Sequence, residues 1–216
     1  MASPAAVRHR SAFQTNQVWL GASLLVVFGI ALRYVVHYAL PYFGFDPNYF
    51  AEYWPHRVRL ITHISGGMLA LITGPFQFWT GLRNWNLTVH RWTGRLYLVG
   101  IVVGSTGSLL MAVFTTPRSF GISLTALATA WIFTTGTAYA AILRGMVQLH
   151  KEWMGRSYIV TFGFVAFRWL DRMQFVAKWG TFPERAANVA WICWVAPLFV
   201  YELILAGRRI WLKRAA

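Results

Sequence analysis

The sequence predicts an all-α integral membrane protein. It has six transmembrane helices around a four-helix core of two parallel-repeat hairpins, with both termini cytoplasmic. Three observations carry this. The 216 residues are 57% hydrophobic and only 12% charged, with a mean hydropathy of +0.47; a soluble domain carries about a quarter charged residues. Six apolar stretches approach the roughly 20 residues a helix needs to cross a bilayer. A motif recurs at matching ends of two of them.

The spans fall near 18–42, 58–80, 95–116, 119–143, 156–176 and 187–207. Backbone in lipid must satisfy its own hydrogen bonds, so each is a helix. The first follows the basic stretch MASPAAVRHRSAFQTNQ. It is longer than a signal-peptide core and lacks a cleavage site at its end, so it reads as a retained span. Pro41, Pro55, Pro117 and Pro183 sit at or near span ends, where proline is tolerated. Many of the 12 Trp, 9 Tyr and 16 Phe sit at those ends, as interfacial aromatic belts do.

Basic residues set the orientation. One set of ends holds Arg8, Arg10, Arg83, Arg91, Arg95, Arg144, Lys151, Arg156, Arg208, Arg209, Lys213 and Arg214. The other holds Arg57, Arg59, Arg118, Arg172, Lys178 and Arg185. The richer side is expected to be cytoplasmic, giving an N-in/C-in protein of a bacterial inner membrane. The net charge of +14 then suits anionic lipid at the inner leaflet of the bilayer. A nucleic-acid partner would need a soluble basic surface, which the short loops do not provide. The single Cys193 lies in an apolar run, so there is no disulfide framework.

The recurring motif is Trp92-Thr-Gly94-Arg95-Leu-Tyr97 against Trp153-Met-Gly155-Arg156-Ser-Tyr158, offset by 61 residues. Each copy follows a His-basic pair, His90-Arg91 and His150-Lys151. The repeat hairpins are therefore about 58–116 and 119–176. In repeats of this kind, sites lie at the repeat interface.

Such a bundle would bring His90 and His150 together on the cytoplasmic side. Imidazoles on facing helices are axial ligands of b-type haem, or the beginning of a metal site. Gly94, Gly100, Gly104 and Gly107 offer room for a flat macrocycle. Gly100-x-x-x-Gly104 is equally a small-x-x-x-small pair for close helix packing, and spacing alone favours that use. Arg91, Arg95, Lys151 and Arg156 suit haem propionates or lipid phosphates. The structural alternative for both histidines is a cap or an interfacial side chain, since His90 lies about six residues, roughly 9 Å, before the continuous apolar run.

A second group lies near the outer face. His63 is one turn beyond Arg59, followed on its face by Gly66, Gly67, Ala70, Gly74 and Gln77. His37, four residues from Arg33, lies at similar depth on span one and would make a second ligand pair with His63. The repeat aligns His63 with Leu124, so the alternative is a hydrogen-bonded interior histidine. Arg168 lies 18 residues after His150, five turns along one face that includes Met154, Ser157 and Thr161. An intramembrane charge should face the bundle. Asp171 is its candidate partner, and the reading is a redox or proton path or an anionic-ligand pocket; the alternative is an arginine snorkelling to the outer interface with Asp171 as a surface pair. Glu202 is expected to meet Arg208 or Arg209.

The ordered set His63…Gly74-Pro75-x-Gln77…Arg83…His90-Arg91-x-x-Gly94-Arg95-x-Tyr97…His150…Trp153-Met154-x-Arg156-Ser157-Tyr158…Arg168 resembles a widespread family of predicted bacterial membrane proteins of unknown function, over about residues 58–175. Helix count and histidines are more loosely similar to di-haem cytochromes b and haem A synthase bundles, which implies haem between histidines of facing core helices. Span four here has no histidine.

Phosphate-binding loops, His-Glu-x-x-His zinc sites and Gly-x-Ser-x-Gly nucleophile turns are absent from the sequence. The six acidic residues do not supply the intramembrane carboxylates of a cation-coupled transporter. The leading reading is a b-type haem electron-transfer protein working with a quinone pool. Its rivals are an accessory or assembly subunit of a larger membrane complex and a lipid- or quinone-binding protein.

Overall fold

A computed structural model of the chain describes residues 4–83 and 86–214, with side chains for 18–81 and 86–211. Arg8, Arg10, Arg83, Lys213 and Arg214 fall outside those described side chains. Every regular element among the described residues is helical. The long helices are α1 (Pro4–Tyr34), α3 (Arg57–Arg83), α4 (Leu87–Ala112), α5 (Arg118–Leu143), α6 (Val147–Arg172) and α8 (Phe182–Arg214). Short α2 (Pro47–Phe50) and α7 (Gln174–Ala177) lie in the connections after α1 and α6.

Among the described residues four stretches are long and apolar enough to cross a membrane: Val18–Gly44, Leu87–Ala112, Arg118–Leu143 and Phe182–Trp211. Helices α3 and α6 are 27 and 26 residues long but carry more charge, with His150, Lys151, Glu152, Arg156, Arg168, Asp171 and Arg172 all on α6. Their neighbours explain how they hold it. Helix α3 packs on α4, α4 on α5, α5 on α6, and α6 closes on α3. Apolar α1 then lies against α3, and apolar α8 against α5 and α6.

Local chemistry fixes the joints. Asn86 opens α4 in a left-handed conformation, its side chain accepting from the Val89 N–H at 3.2 Å. Gly145, at φ 72°, lets α5 turn sharply into α6, a conformation that costs other residues a Cβ clash. Span one does not stop at Pro41. Helix α1 loosens into a π-turn over Val35–Ala39 and a 3₁₀ turn over Leu40–Gly44. With α2 and a second 3₁₀ turn over Ala51–His56, this forms an aromatic cap: Tyr42 meets Tyr49 and Phe50 edge-on, and Phe50 meets Trp54.

The first hairpin is held by backbone contact. A Cβ on Gly66 would lie 2.1 Å from the Gly104 nitrogen, and one on Gly107 would lie 2.4 Å from the His63 nitrogen. Gly100 abuts Gly66 and Ala70, and Gly94 faces Gln77. The glycines of α4 are thus spent on packing against α3. The room expected there for a macrocycle is filled, and the residues do not fit one on that face.

Candidate functional site

The repeated motif turns out to be a joint. His90 Nδ1 lies 3.0 Å from the Thr80 hydroxyl. That hydroxyl donates to the Phe76 carbonyl at 2.7 Å, so the imidazole N–H must be the donor to it. His150 Nδ1 donates to the Ala138 carbonyl at 2.9 Å. Each histidine therefore ties the start of its helix to the preceding helix of its own hairpin. Arg95 lies 4.6 Å over the Trp92 ring and Arg156 4.6 Å over the Trp153 ring, the same local geometry twice. The two imidazoles sit at one end of the bundle, within electrostatic range of each other. Arg91 is exposed beside them. Among the described residues no group of three or more His, Cys, Asp or Glu could hold a metal ion.

The tyrosines of the motif work differently, crossing between hairpins. Tyr97 on α4 reaches the α6 hydroxyls of Ser157 at 2.8 Å and Thr161 at 2.9 Å. Trp131 of α5 donates to Thr161 at 2.8 Å, and Thr135 of α5 lies 2.6 Å from Ser157. Tyr158 on α6 donates to the Leu71 carbonyl of α3 at 3.1 Å. Its ring fills the space left by Gly74. Ser157 and Thr161 thus belong to a buried network, as the polar seam on α6 requires.

Several expected pairings differ. Asp171 does not meet Arg168; it accepts from Arg185 at 2.8 Å, because the turn through α7 brings α8 back alongside α6. Glu202 does not meet Arg208 or Arg209. It holds Arg156 bidentately at 2.6 and 2.9 Å, while Arg209 reaches Glu152 at 2.5 Å. His37 is exposed and bonded to its own helix at the Arg33 carbonyl, 3.0 Å away. It therefore makes no pair with His63.

At the opposite end from His90 and His150 lies a cavity of about 410 Å³, within the range of small-molecule sites. Its walls are mostly apolar, including Leu71, Leu127, Phe164 and Phe167, and it contains both His63 and Leu124, the pair aligned by the repeat. His63 Nδ1 donates to the Gly104 carbonyl at 2.9 Å. That fixes the tautomer and leaves Nε2 as an acceptor. Arg168 and Tyr34 both line the cavity. Tyr38, Tyr42 and Tyr53 complete the polar end, with Glu52. Burial pushes the Tyr53 phenol up, and the Glu52 charge adds to this, so it stays a neutral O–H donor. Tyr38 is gripped by Arg172, which donates to its hydroxyl and stacks 4.5 Å over its ring.

The structure thus brings His63 and Arg168 to one cavity and leaves His90, His150, Arg91, Arg95 and Arg156 at the far end. Sequence reasoning missed Tyr34, Tyr38, Tyr42, Glu52 and Tyr53. The available signal was the aromatic density of YALPYFGFDPNYFAEYWPH, too rich for a plain loop.

No curated protein and no solved structure matches the chain. Residues 60–205, more than half of the sequence, match the family described as predicted membrane protein DUF2306, and the chain belongs to that family of membrane proteins of unknown function.

Proposed function

We propose that this is a six-span, N-in/C-in protein of a bacterial inner membrane that binds a lipid or quinone in the cavity at its outer side. The cavity carries the reading: apolar walls for a tail, and hydroxyl, guanidinium and imidazole groups gathered at one end for a head. The six-span reading draws on α3. It runs antiparallel to α4 from the contact of Gly107 with His63 to that of Gly94 with Gln77, so it covers the same thickness as an apolar span. Helix α6 does the same beside α5. The orientation draws on the excess of Arg and Lys at the end where α4 and α6 begin.

The test is solvent extraction of the purified protein, with mass analysis of lipids and quinones. One lipid-soluble molecule per chain is expected, and it should be lost in Gly67→Leu. A Cβ at Gly67 meets nothing within 4 Å and Gly67 lines the cavity, so the larger side chain fills it without a clash. Wild type that retains no such molecule overturns the reading.

The haem reading keeps one supporting observation. His90 and His150 both hold Nδ1 in hydrogen bonds, leaving Nε2 as the nitrogen that can ligate. A Soret band in purified protein, lost in His150→Ala, would establish it. Colourless protein that carries no lipid but co-purifies with a larger membrane complex would instead favour an accessory subunit.

A further inference from the structure

The charge in the cavity points to the class of ligand, resting on the cavity-binding reading. Arg168 sits in the proposed span of α6, its side chain exposed and lining the cavity; an ionised group at that depth is costly and normally compensated. The ion pairs among the described residues are Arg156–Glu202, Arg185–Asp171 and Arg209–Glu152. Arg168 is in none of them. Phenols line the cavity with it: Tyr34, Tyr42 and Tyr53. These can stabilise a guanidinium as dipoles but do not neutralise it.

Every other charged or titratable group at the cavity can be accounted for. Asp171 lies three residues on, but its charge is taken by Arg185, which is also held by the Gly180 carbonyl at 2.8 Å. Glu52 is exposed on the aromatic cap and also lines a smaller adjoining cavity of about 130 Å³ beside His56. His63 donates Nδ1–H to the Gly104 carbonyl and supplies no negative charge in either protonation state. Arg172 adds a second positive charge behind Tyr38. An apolar cavity is thus left with an uncompensated planar fork of donors at one end. That geometry matches a carboxylate or phosphate, which it can bind bidentately.

We infer that the cavity binds an anionic amphiphile, its carboxylate or phosphate head on Arg168 and Tyr34 and its chain along the apolar wall of Leu71, Leu127 and Phe164. At about 410 Å³ the space suits a single acyl chain.

The test uses the full-length protein in nanodiscs of neutral lipid, titrated with oleate, oleoyl lysophosphatidate, oleyl alcohol and a short-chain ubiquinone, and read by native mass spectrometry. Oleate or the lysophosphatidate is expected to bind one per chain, at least tenfold tighter than oleyl alcohol; whichever is tighter identifies the head. Arg168→Gln should abolish that preference without weakening oleyl alcohol, and Arg168→Lys should restore it in part. Tyr34→Phe, which keeps the ring and removes one donor, should reduce it severalfold and serves if Arg168→Gln does not fold. Equal binding of oleyl alcohol or ubiquinone, unaffected by either Arg168→Gln or Tyr34→Phe, overturns the inference and leaves the cavity-binding reading intact. No binding of any of the four, with nothing extracted from wild type, overturns both.

Discussion

Tyr97 and Tyr158, equivalent residues of the repeated motif, each leave their own hairpin and bond into the other: Tyr97 to Ser157 and Thr161 of α6, Tyr158 to the Leu71 carbonyl of α3. The hairpins are locked by reciprocal use of one residue type. The two bonds are unequal. Tyr97 is 1% exposed and its hydroxyl serves a network with Trp131, Ser157 and Thr161, each 0% exposed. Tyr158 has one carbonyl.

Tyr97→Phe should therefore cost more than Tyr158→Phe. Stranding buried hydroxyls costs about 1–3 kcal/mol, whereas a single interhelical bond in a membrane protein averages about 0.6 kcal/mol. Thermal unfolding of both variants in the same detergent makes the comparison. A larger loss in Tyr158→Phe would show that the buried network does not hold the hairpins.

A glycine in backbone contact and one facing open space should behave oppositely. Gly66→Ala drives a methyl to within 2.5 Å of the Gly100 oxygen and must part α3 from α4, at a cost of about 1–3 kcal/mol by overpacking. Gly136→Ala, on α5 with nothing within 4 Å, should stabilise by about 0.5–1 kcal/mol from helix propensity. A melting temperature unchanged in Gly66→Ala would contradict the contact assigned to Gly66.

The pair Arg156–Glu202 joins α6 to α8. The Arg156 side chain is 12% exposed and that of Glu202 49%, so a double-mutant cycle should give a coupling of about 1 kcal/mol, at the upper end for half-exposed pairs. The Arg209–Glu152 pair, with Arg209 61% exposed, should couple less. Equal couplings would mean that burial of Arg156 adds nothing.

Arg185 keeps Asp171 away from Arg168. Arg185→Ala should free that carboxylate to neutralise the guanidinium three residues before it, weakening oleate binding roughly tenfold, about 1.4 kcal/mol. The double variant Arg185→Ala/Asp171→Asn should recover it. Unchanged oleate binding in Arg185→Ala would show that Asp171 does not compete.

The joint was more legible in the sequence than the site. A repeated Trp-x-Gly-Arg-x-Tyr at one offset specifies helix pairing, because its residues act on immediate neighbours: Arg95 on Trp92, His150 on the helix before it. The small-x-x-x-small spacing of Gly100 and Gly104 likewise announces backbone contact. The cavity was not legible, since its polar end comes from α1, the aromatic cap and α6, which meet only after folding. Periodicity placed Arg168 and Asp171 on one face, but the claim of Arg185 on Asp171 depends on how α7 redirects the chain. His37 shows a different failure: its ring is bonded to the Arg33 carbonyl from within the π-turn, a local break that residue spacing did not announce.

The family match begins at residue 60, and that boundary runs through the lining of the cavity. His63 and Arg168 belong to the shared portion; Tyr34, Tyr38, Tyr42, Glu52 and Tyr53 belong to chain that precedes it. The matched floor and the preceding roof are separate stretches of sequence, so either can change without the other. Relatives that retain the same histidine and arginine beneath a different roof would be expected to admit different guests, so selectivity within the family should track the residues before the match.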